Sequence, residues 1–304
     1  MKPNLEIEIA GVRFKNPVTV ASGTFGYAEE FEHLIDLDAL GGIVTKSITR
    51  KERPGHPPPR THETSAGMLN AIGLANVGIE RFIDEKIPFL KKLKTVIIVN
   101  VAGSSLDEYV EVCRMLEKAG GFDMIELNVS CPNVDRGGME FGTDPDAMIK
   151  VIAAVRDVTT RPVIAKLSPN VTSIATIAKA AQQGGAAAVS LINTLVGMAV
   201  DIETRKPCLT NGTGGLSGPA IKPVAIAMVH KVYKEINIPI IGIGGISDWR
   251  DAVEFHLVGA LGLQVGTANF IQPDATMHII KGLQTYLSGH NIESINDLVG
   301  KVRM

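Results

Sequence analysis

Only three of the 304 residues are cysteine: Cys113, Cys131 and Cys208. Three thiols cannot build a disulfide framework, and they cannot hold an iron–sulfur cluster, which takes about four thiolates. An excess of charge is missing too. Thirty Lys and Arg stand against 32 Asp and Glu, for a net charge of −2, and no basic block occurs. That balance argues against a nucleic-acid-binding surface. The seven histidines are scattered, with no HExxH and no pair at metal-ligand spacing. Long apolar runs are also lacking: the most apolar stretch, 184–200, is broken by Ser190, Asn193 and Thr194, so no membrane span is expected. The opening MKPNLEIEIAGVRF carries no apolar signal core, which leads us to expect a cytoplasmic protein.

What is present is a chain with 45% hydrophobic residues, long enough for a large core. At about 150 residues per domain its length would suggest two domains, but α/β barrels routinely reach about 250 residues as one. Short apolar runs alternate with longer helical patterns throughout, as in a parallel α/β fold. Eight such runs are legible: Pro17–Ala21, Gly42–Thr45, Val96–Asn100, Met124–Asn128, Val163–Leu167, Ala187–Ile192, Pro239–Gly242 and Gly262–Gly266. Helices are expected over Asp107–Ala119, with Asp107 as N-cap, and over Pro145–Val158, with Asp144 as N-cap and proline at the first helical position. Ser173–Gln183 and Asp248–His256 read as further helices, each with a serine at its start. Eight β units fit a TIM (β/α)8 barrel spanning 1–304 as one domain; a doubly wound open sheet is the alternative that the count leaves open. At the N-terminus Leu5, Ile7 and Ile9 alternate with Glu6 and Glu8, and Ala10-Gly11 turns the chain into Val12–Phe14. This reads as a hairpin capping the barrel bottom. Two connections are much longer than the rest. One follows Thr45 and contains KERPGHPPPR and THETSAGMLNAIGLAN; the other follows Ile192 and contains GMAVDIETRKPCLTNGTGGLSGP. In a barrel both are loops of the C-terminal face, where active sites are built.

The strand ends carry hydrogen-bonding side chains or bare backbone: Ser22, Lys46-Ser47, Asn100, Asn128 with Cys131 just beyond, Lys166, Asn193-Thr194, Gly244-Gly245 and Gly266-Thr267. Strand ends are often polar simply because they emerge into solvent, but two lysines and three asparagines are an unusual set for that. The glycines after the seventh and eighth runs match the phosphate site of TIM barrels, although tight turns would need them as well. GIGGIS is not a dinucleotide fingerprint: it lacks the third glycine, and no acidic residue ends a following strand. Lys46 and Lys166 could bind a carboxylate, offset charge on a cofactor, form a Schiff base, or lie idle on the surface. Cys131, in NVSCPN ahead of a glycine-containing DRGGMEFG that reads as a mobile lid, suits a general base or a nucleophile if its surroundings lower the usual thiol pKa of about 8.5; a buried spectator is the plainer reading. Cys113 falls inside a helical pattern and reads as core; Cys208 reads as an idle loop thiol.

The segments ASGTFG, TKSIT, PPPRTHETSAGMLNAIGLAN, ELNVSCPN, AKLSPN, INT, GGLSGPAIKP, IGIGGI and QVGTA together resemble the class 1 dihydroorotate dehydrogenases, and within them the catalytic subunit of subtype B. The resemblance covers almost the whole chain in order. GMLNAIGLAN and NVSCPN are its most specific pieces, whereas GIGGI and QVGT are common to many flavin barrels. It implies a TIM barrel with one FMN per chain, oxidising dihydroorotate to orotate in de novo pyrimidine (UMP) biosynthesis. By the same resemblance, hydride would pass from C6 to flavin N5 and Cys131 would take the C5 proton. Lys46, the segment Asn70, Ala71, Ile72, Gly73 and Leu74, together with Asn128, Asn193 and Thr194, would hold the pyrimidine and its carboxylate, with Asn133 a further candidate. FMN would meet Ser22, Lys46, Ser47, Asn100, Asn128, Lys166, Ile192, Gly218, Gly244, Gly245, Gly266 and Thr267. The chemistry suits these roles. A lysine at the flavin N1–C2 edge stabilises the negative charge of the reduced ring, and asparagines offer an imide edge both a donor and an acceptor. One departure stands out: His56 occupies a loop position where the family pattern has Asn, outside the implied contact set.

With no cysteine cluster of its own, the chain would reach NAD+ only through a partner subunit carrying FAD and a [2Fe-2S] cluster. The subtype implies a heterotetramer of two catalytic and two electron-transfer chains around a catalytic dimer. The membrane-bound class uses serine as base and carries an N-terminal membrane segment, neither of which is read here. Other readings stay open at this stage: fumarate-linked subtype A activity, a flavin enzyme for a dihydropyrimidine without the carboxylate, a flavin-free lyase or isomerase with Lys166 as Schiff-base amine, and a non-catalytic barrel.

Overall fold

The computed structural model describes residues 3–130 and 141–303. Cys131, Asn133 and most of the expected lid lie outside the described residues. Eight strands follow one another round a closed ring, each parallel to its neighbours: Val18–Val20, Gly42–Val44, Val96–Val101, Met124–Asn128, Val163–Lys166, Ala188–Leu191, Ile240–Ile243 and Gly262–Val265. The eighth pairs with the first, Leu263 opposite Val18 and Val265 opposite Val20, and this closes the barrel. Each strand matches one apolar run to within a residue at either end. Parallel strands covered on both faces need such near-continuous apolar sequence. The TIM-barrel expectation therefore holds, and an open doubly wound sheet is excluded.

Helices return the chain between strands, Leu106–Ala119, Pro145–Arg156, Ile174–Gln183, Lys222–Tyr233 and Trp249–Leu257, and a further helix, Ala275–Gly289, follows the eighth strand. Two starts differ from expectation. Ser105, not Asp107, caps the first, because its extended backbone brings Oγ within 3.2 Å of the Glu108 N–H. Asp107 sits in the first turn, where a negative charge still favours the helix dipole. The helix at Trp249 is capped by Asp248, which accepts from the N–H groups of Arg250 and Asp251, while Asp251 accepts in return from Asp248. Asp144 and Ser173 cap their helices as read.

The N-terminal hairpin pairs Ile7–Ile9 with Val12–Phe14. Its two-residue turn puts Ala10 (φ 52°) and Gly11 (φ 81°) in the left-handed region, the geometry that matches strand twist in tight hairpins. The hairpin lies under the barrel. A Cβ on Gly262, which opens the eighth strand, would touch Ile9 and Ile7, and one on Gly42, which opens the second, would touch the Phe14 ring. Ile9 and Phe14 are each 1% exposed, so the hairpin plugs the N-terminal end of the barrel with apolar side chains.

At the opposite end the two long connections meet. They form a four-stranded antiparallel sheet in the order Leu195–Gly197, Gly214–Ser217, Gly67–Asn70, Thr61–Thr64. Gly215 pairs with Asn70, Leu216 with Leu69 and Ser217 with Met68, joining the insert after the second strand to the insert after the sixth. Leu69, Ala71 and Leu209 form a small core beneath this roof, separate from the main one. Among the described residues no helix is long and apolar enough to cross a membrane.

Candidate active site

The period-2 alternation of a strand puts Glu126 and Asn128 on one face of the fourth strand. Glu126 is completely buried. Its Oε1 accepts from Asn100 Nδ2 at 2.7 Å, and its Oε2 accepts from Ser190 Oγ at 2.7 Å and Gln264 Nε2 at 2.5 Å. Lys166 Nζ lies 3.7 Å from Oε1 and donates to Ser22 Oγ at 3.3 Å. Five barrel strands and the end of a sixth thus converge on one ion pair. A buried charge is tolerated only when paired and hydrogen-bonded, and both conditions are met here. Two acceptors in this layer stay unsatisfied. Asn100 Oδ1 and Gln264 Oε1 are buried and have no partner among the described residues.

A second group sits at the mouth. Asn193 Nδ2 donates to Asn128 Oδ1 at 3.3 Å, and the Thr194 N–H donates to Asn193 Oδ1 at 2.9 Å. Tyr109, buried behind them, donates its hydroxyl to the Asn128 carbonyl at 2.7 Å. From the roof, Asn70 Nδ2 donates to the Gly215 carbonyl at 3.2 Å. Beyond Asn70 the chain continues as Ala71–Leu74, with Leu74 at φ 55°, a left-handed conformation that a leucine adopts only when its surroundings impose it. Asn76 imposes it. Its Nδ2 donates to the Leu74 carbonyl and to Thr49 Oγ1, both at 2.8 Å, and its Oδ1 accepts from the Gly78 N–H at 2.8 Å. His56 is not remote from this segment: its Nδ1 lies 3.1 Å from the Ala71 carbonyl, and its backbone N–H bonds the Ile72 carbonyl.

Lys46 and Ser47 follow the second strand. Lys46 is anchored by its N–H to the Gly26 carbonyl at 2.8 Å, and among the described residues its ammonium has no ion-pair partner. On the far rim three loop segments come together. Gly218 (φ 94°) and Gly245 (φ 78°) both have left-handed backbones. A Cβ on Gly245 would fall 2.9 Å from both the Gly218 carbonyl oxygen and the Lys222 nitrogen; one on Gly218 would fall 2.7 Å from Gly67 Cα. Thr267 Oγ1 donates to Ser217 Oγ at 2.8 Å across the same junction. Gly244 (φ 119°) backs onto buried Ile192, whereas at Gly266 a Cβ would meet only Ala21, at an ordinary 3.6 Å.

The structure thus gathers Ser22, Asn100 and Lys166 inside the barrel, Asn128, Asn193 and Thr194 at its mouth, Asn70–Leu74 along the roof, and Gly218, Gly244, Gly245 and Thr267 on one rim. Cys113 is core as read, its thiol pushed up to about 12 by burial. Cys208 lies in the outer loop, half-buried. Glu126, Ser190, Gln264 and Asn76 escape the sequence reading. For Glu126 a signal exists: a lone carboxylate within an apolar run, two residues before an asparagine already suspected of facing the site.

A family model described as dihydroorotate dehydrogenase matches residues 4–287. Proteins named as the catalytic subunit of dihydroorotate dehydrogenase B (NAD(+)) are similar over their full length. That of Geobacter sp. strain M21 is 51% identical over 303 residues, covering 100% of this chain and 99% of its own. That of Geotalea uraniireducens is 52% identical over 299 residues, 98% of each chain. That of Caldicellulosiruptor saccharolyticus is 50% identical over 301 residues, 99% of this chain and all of its own.

Proposed function

The chain belongs to the dihydroorotate dehydrogenase family, and on that premise we propose that it is the catalytic chain of an NAD+-linked enzyme that oxidises dihydroorotate to orotate in pyrimidine biosynthesis. The observation that carries this reading is the meeting of Asn128 and Asn193 at the barrel mouth, above the Lys166–Glu126 pair. Amide side chains from separate strands present donors and acceptors together, as an imide-bearing ring requires. Lys46, with no described counter-ion, is the residue for the substrate carboxylate. Asn70–Leu74, Asn128, Asn193 and Thr194 bind and orient the ring beneath the roof. Cys131 takes the C5 proton.

The residues fit one FMN. Two buried, unpartnered carbonyl oxygens on Asn100 and Gln264 suit the flavin's N–H, and the glycine junction at Gly218 and Gly245 leaves backbone where a phosphate needs close approach. Bound there, FMN supplies the hydride acceptor. Ser22, Lys46, Ser47, Asn100, Asn128, Lys166, Ile192, Gly218, Gly244, Gly245, Gly266 and Thr267 are the residues that would hold it. Lys166 contributes a fixed positive charge to the site, an electrostatic term that needs no reorganisation during reaction. As half of an ion pair with Glu126 it is poorly suited to be a Schiff-base nucleophile.

Electrons leave through a partner subunit bearing FAD and a [2Fe-2S] cluster, in a cytoplasmic heterotetramer of two chains of each kind. A subunit contact is supported by Val196, Met198, Val200 and Ile202, alternate residues that expose apolar side chains on the roof's edge strand and just beyond it. The test is the visible spectrum of the FMN-loaded chain under anaerobic conditions, before and after adding dihydroorotate. A yellow protein that bleaches supports the reading; one that stays yellow refutes the substrate; a chain that takes up no FMN refutes the flavin site. Purified alone, the chain should reduce artificial acceptors but not NAD+; efficient NAD+ reduction would refute the partner.

A further inference from the structure

We propose that Glu126 is a positioning residue of the flavin site: its carboxylate orients the amides of Asn100 and Gln264 and holds the Lys166 ammonium, and so decides which polar atoms a bound flavin meets. The inference rests on the FMN reading above. An ionised carboxylate only accepts hydrogen bonds, whereas a primary amide has a donor end and an acceptor end. With Glu126 between them, Asn100 and Gln264 must both turn their NH2 groups inward, at 2.7 and 2.5 Å, which leaves Asn100 Oδ1 and Gln264 Oε1 as the two buried acceptors without partners. Lys166, 3.7 Å from Glu126 Oε1, is held by the same group from another side. The oxidised isoalloxazine has one N–H, at N3, and otherwise offers acceptors along its polar edge. A free carbonyl oxygen complements the N3–H and the ammonium complements an acceptor of that edge, whereas an amide reversed beside the N3–H would meet it with an NH2.

Glutamine at position 126 would keep the shape and change the logic. Its new NH2 would stand either in place of Oε1, facing Asn100 Nδ2 and Lys166 Nζ, or in place of Oε2, facing Ser190 Oγ and Gln264 Nε2, and of these four only the serine oxygen can accept. The simplest relief is reversal of one neighbouring amide, which uses up its free oxygen and presents an NH2 in its place. Lys166 would also lose its counter-charge, so its positive charge would act on the flavin unopposed.

The test compares wild type, Glu126→Gln and Glu126→Asp, each loaded with 15N-labelled FMN. It reads FMN affinity, the N3–H proton resonance and the flavin midpoint potential, with circular dichroism as the fold control. In the wild type the N3–H resonance should lie downfield of free FMN. Glu126→Gln should bind FMN at least tenfold more weakly, return that resonance toward its free position, and raise the potential enough to increase the reduced-to-oxidised ratio at least tenfold at fixed potential. Glu126→Asp, still a carboxylate, should restore the resonance. A folded Glu126→Gln with wild-type resonance and potential overturns the proposal and leaves the FMN reading intact. A wild-type chain that binds no FMN overturns both. If Glu126→Gln does not fold, the uncharged pair Glu126→Gln/Lys166→Met carries the test, and a wild-type N3–H resonance there overturns the proposal.

Discussion

Lys166 and Glu126 stand 3.7 Å apart in a site from which water is nearly excluded; the lysine side chain is 7% exposed and the glutamate side chain fully buried. Removing one member of such a pair strands the other's charge, at a cost of about 3–5 kcal/mol. Lys166→Met should therefore lower stability by about that much in chemical denaturation, and in FMN-loaded protein should slow reduction by dihydroorotate. An unchanged reduction rate would remove Lys166 from the chemistry. Cys131→Ala tests the proposed base. It should keep FMN and lose about 10²–10⁴-fold in turnover near pH 7, the range a positioned general base contributes; near-full turnover in steady-state assays would refute the assignment. Lys166 was legible because a lysine ending an apolar strand is conspicuous. Glu126 is legible only as a carboxylate interrupting the apolar run Met124–Asn128; its role is not, because only closure of the barrel brings Asn100, Ser190 and Gln264 around it.

At the scale of elements, the eight strands could be read because burial on both faces leaves little room for polar residues. The roof could not. Its strands are three or four residues each, lie in segments rich in glycine and proline, and pair across a separation as large as the 149 positions from Met68 to Ser217. Local sequence carries no trace of such a pairing, which depends on the barrel bringing the second and sixth strands' loops over one mouth. Asn76 ties the first insert down. Asn76→Ala would leave the Gly78 N–H and the Leu74 carbonyl without their side-chain partners and release the left-handed Leu74. We expect a loss of about 2–3 kcal/mol from the unpaired buried groups, and a KM for dihydroorotate raised several-fold with a smaller change in kcat. Denaturant titration and steady-state kinetics check the two effects. The capping outcome shows the limit of local reading on a smaller scale: Ser105 and Asp107 are both good first-turn residues, and the extended backbone at Ser105 settles which one caps.

For the molecule as a whole, pH acts through a group far from the chemistry. His256 is fully buried near the end of its helix, where its Nδ1 lies 2.8 Å from the Ala260 carbonyl and its Nε2 has no described partner. Burial lowers its pKa from 6.5 to about 4, although the Ala260 carbonyl favours the protonated form. Between those values the unfolded chain binds a proton that the folded chain refuses. The stabilisation is thus complete above about pH 6.5 and falls by about 3 kcal/mol as pH drops toward 4. Denaturant midpoints measured across that range should fall with pH in the wild type and show a weaker dependence in His256→Asn. The jointed roof bears on how the molecule comes into being. Its halves lie on either side of four barrel strands, so a chain emerging from the ribosome has made most of the ring's strands before residue 215 can meet residue 70. Long-range pairings close late because loop entropy must be met first. Closure of the mouth is therefore among the last steps by which the nascent protein completes its fold.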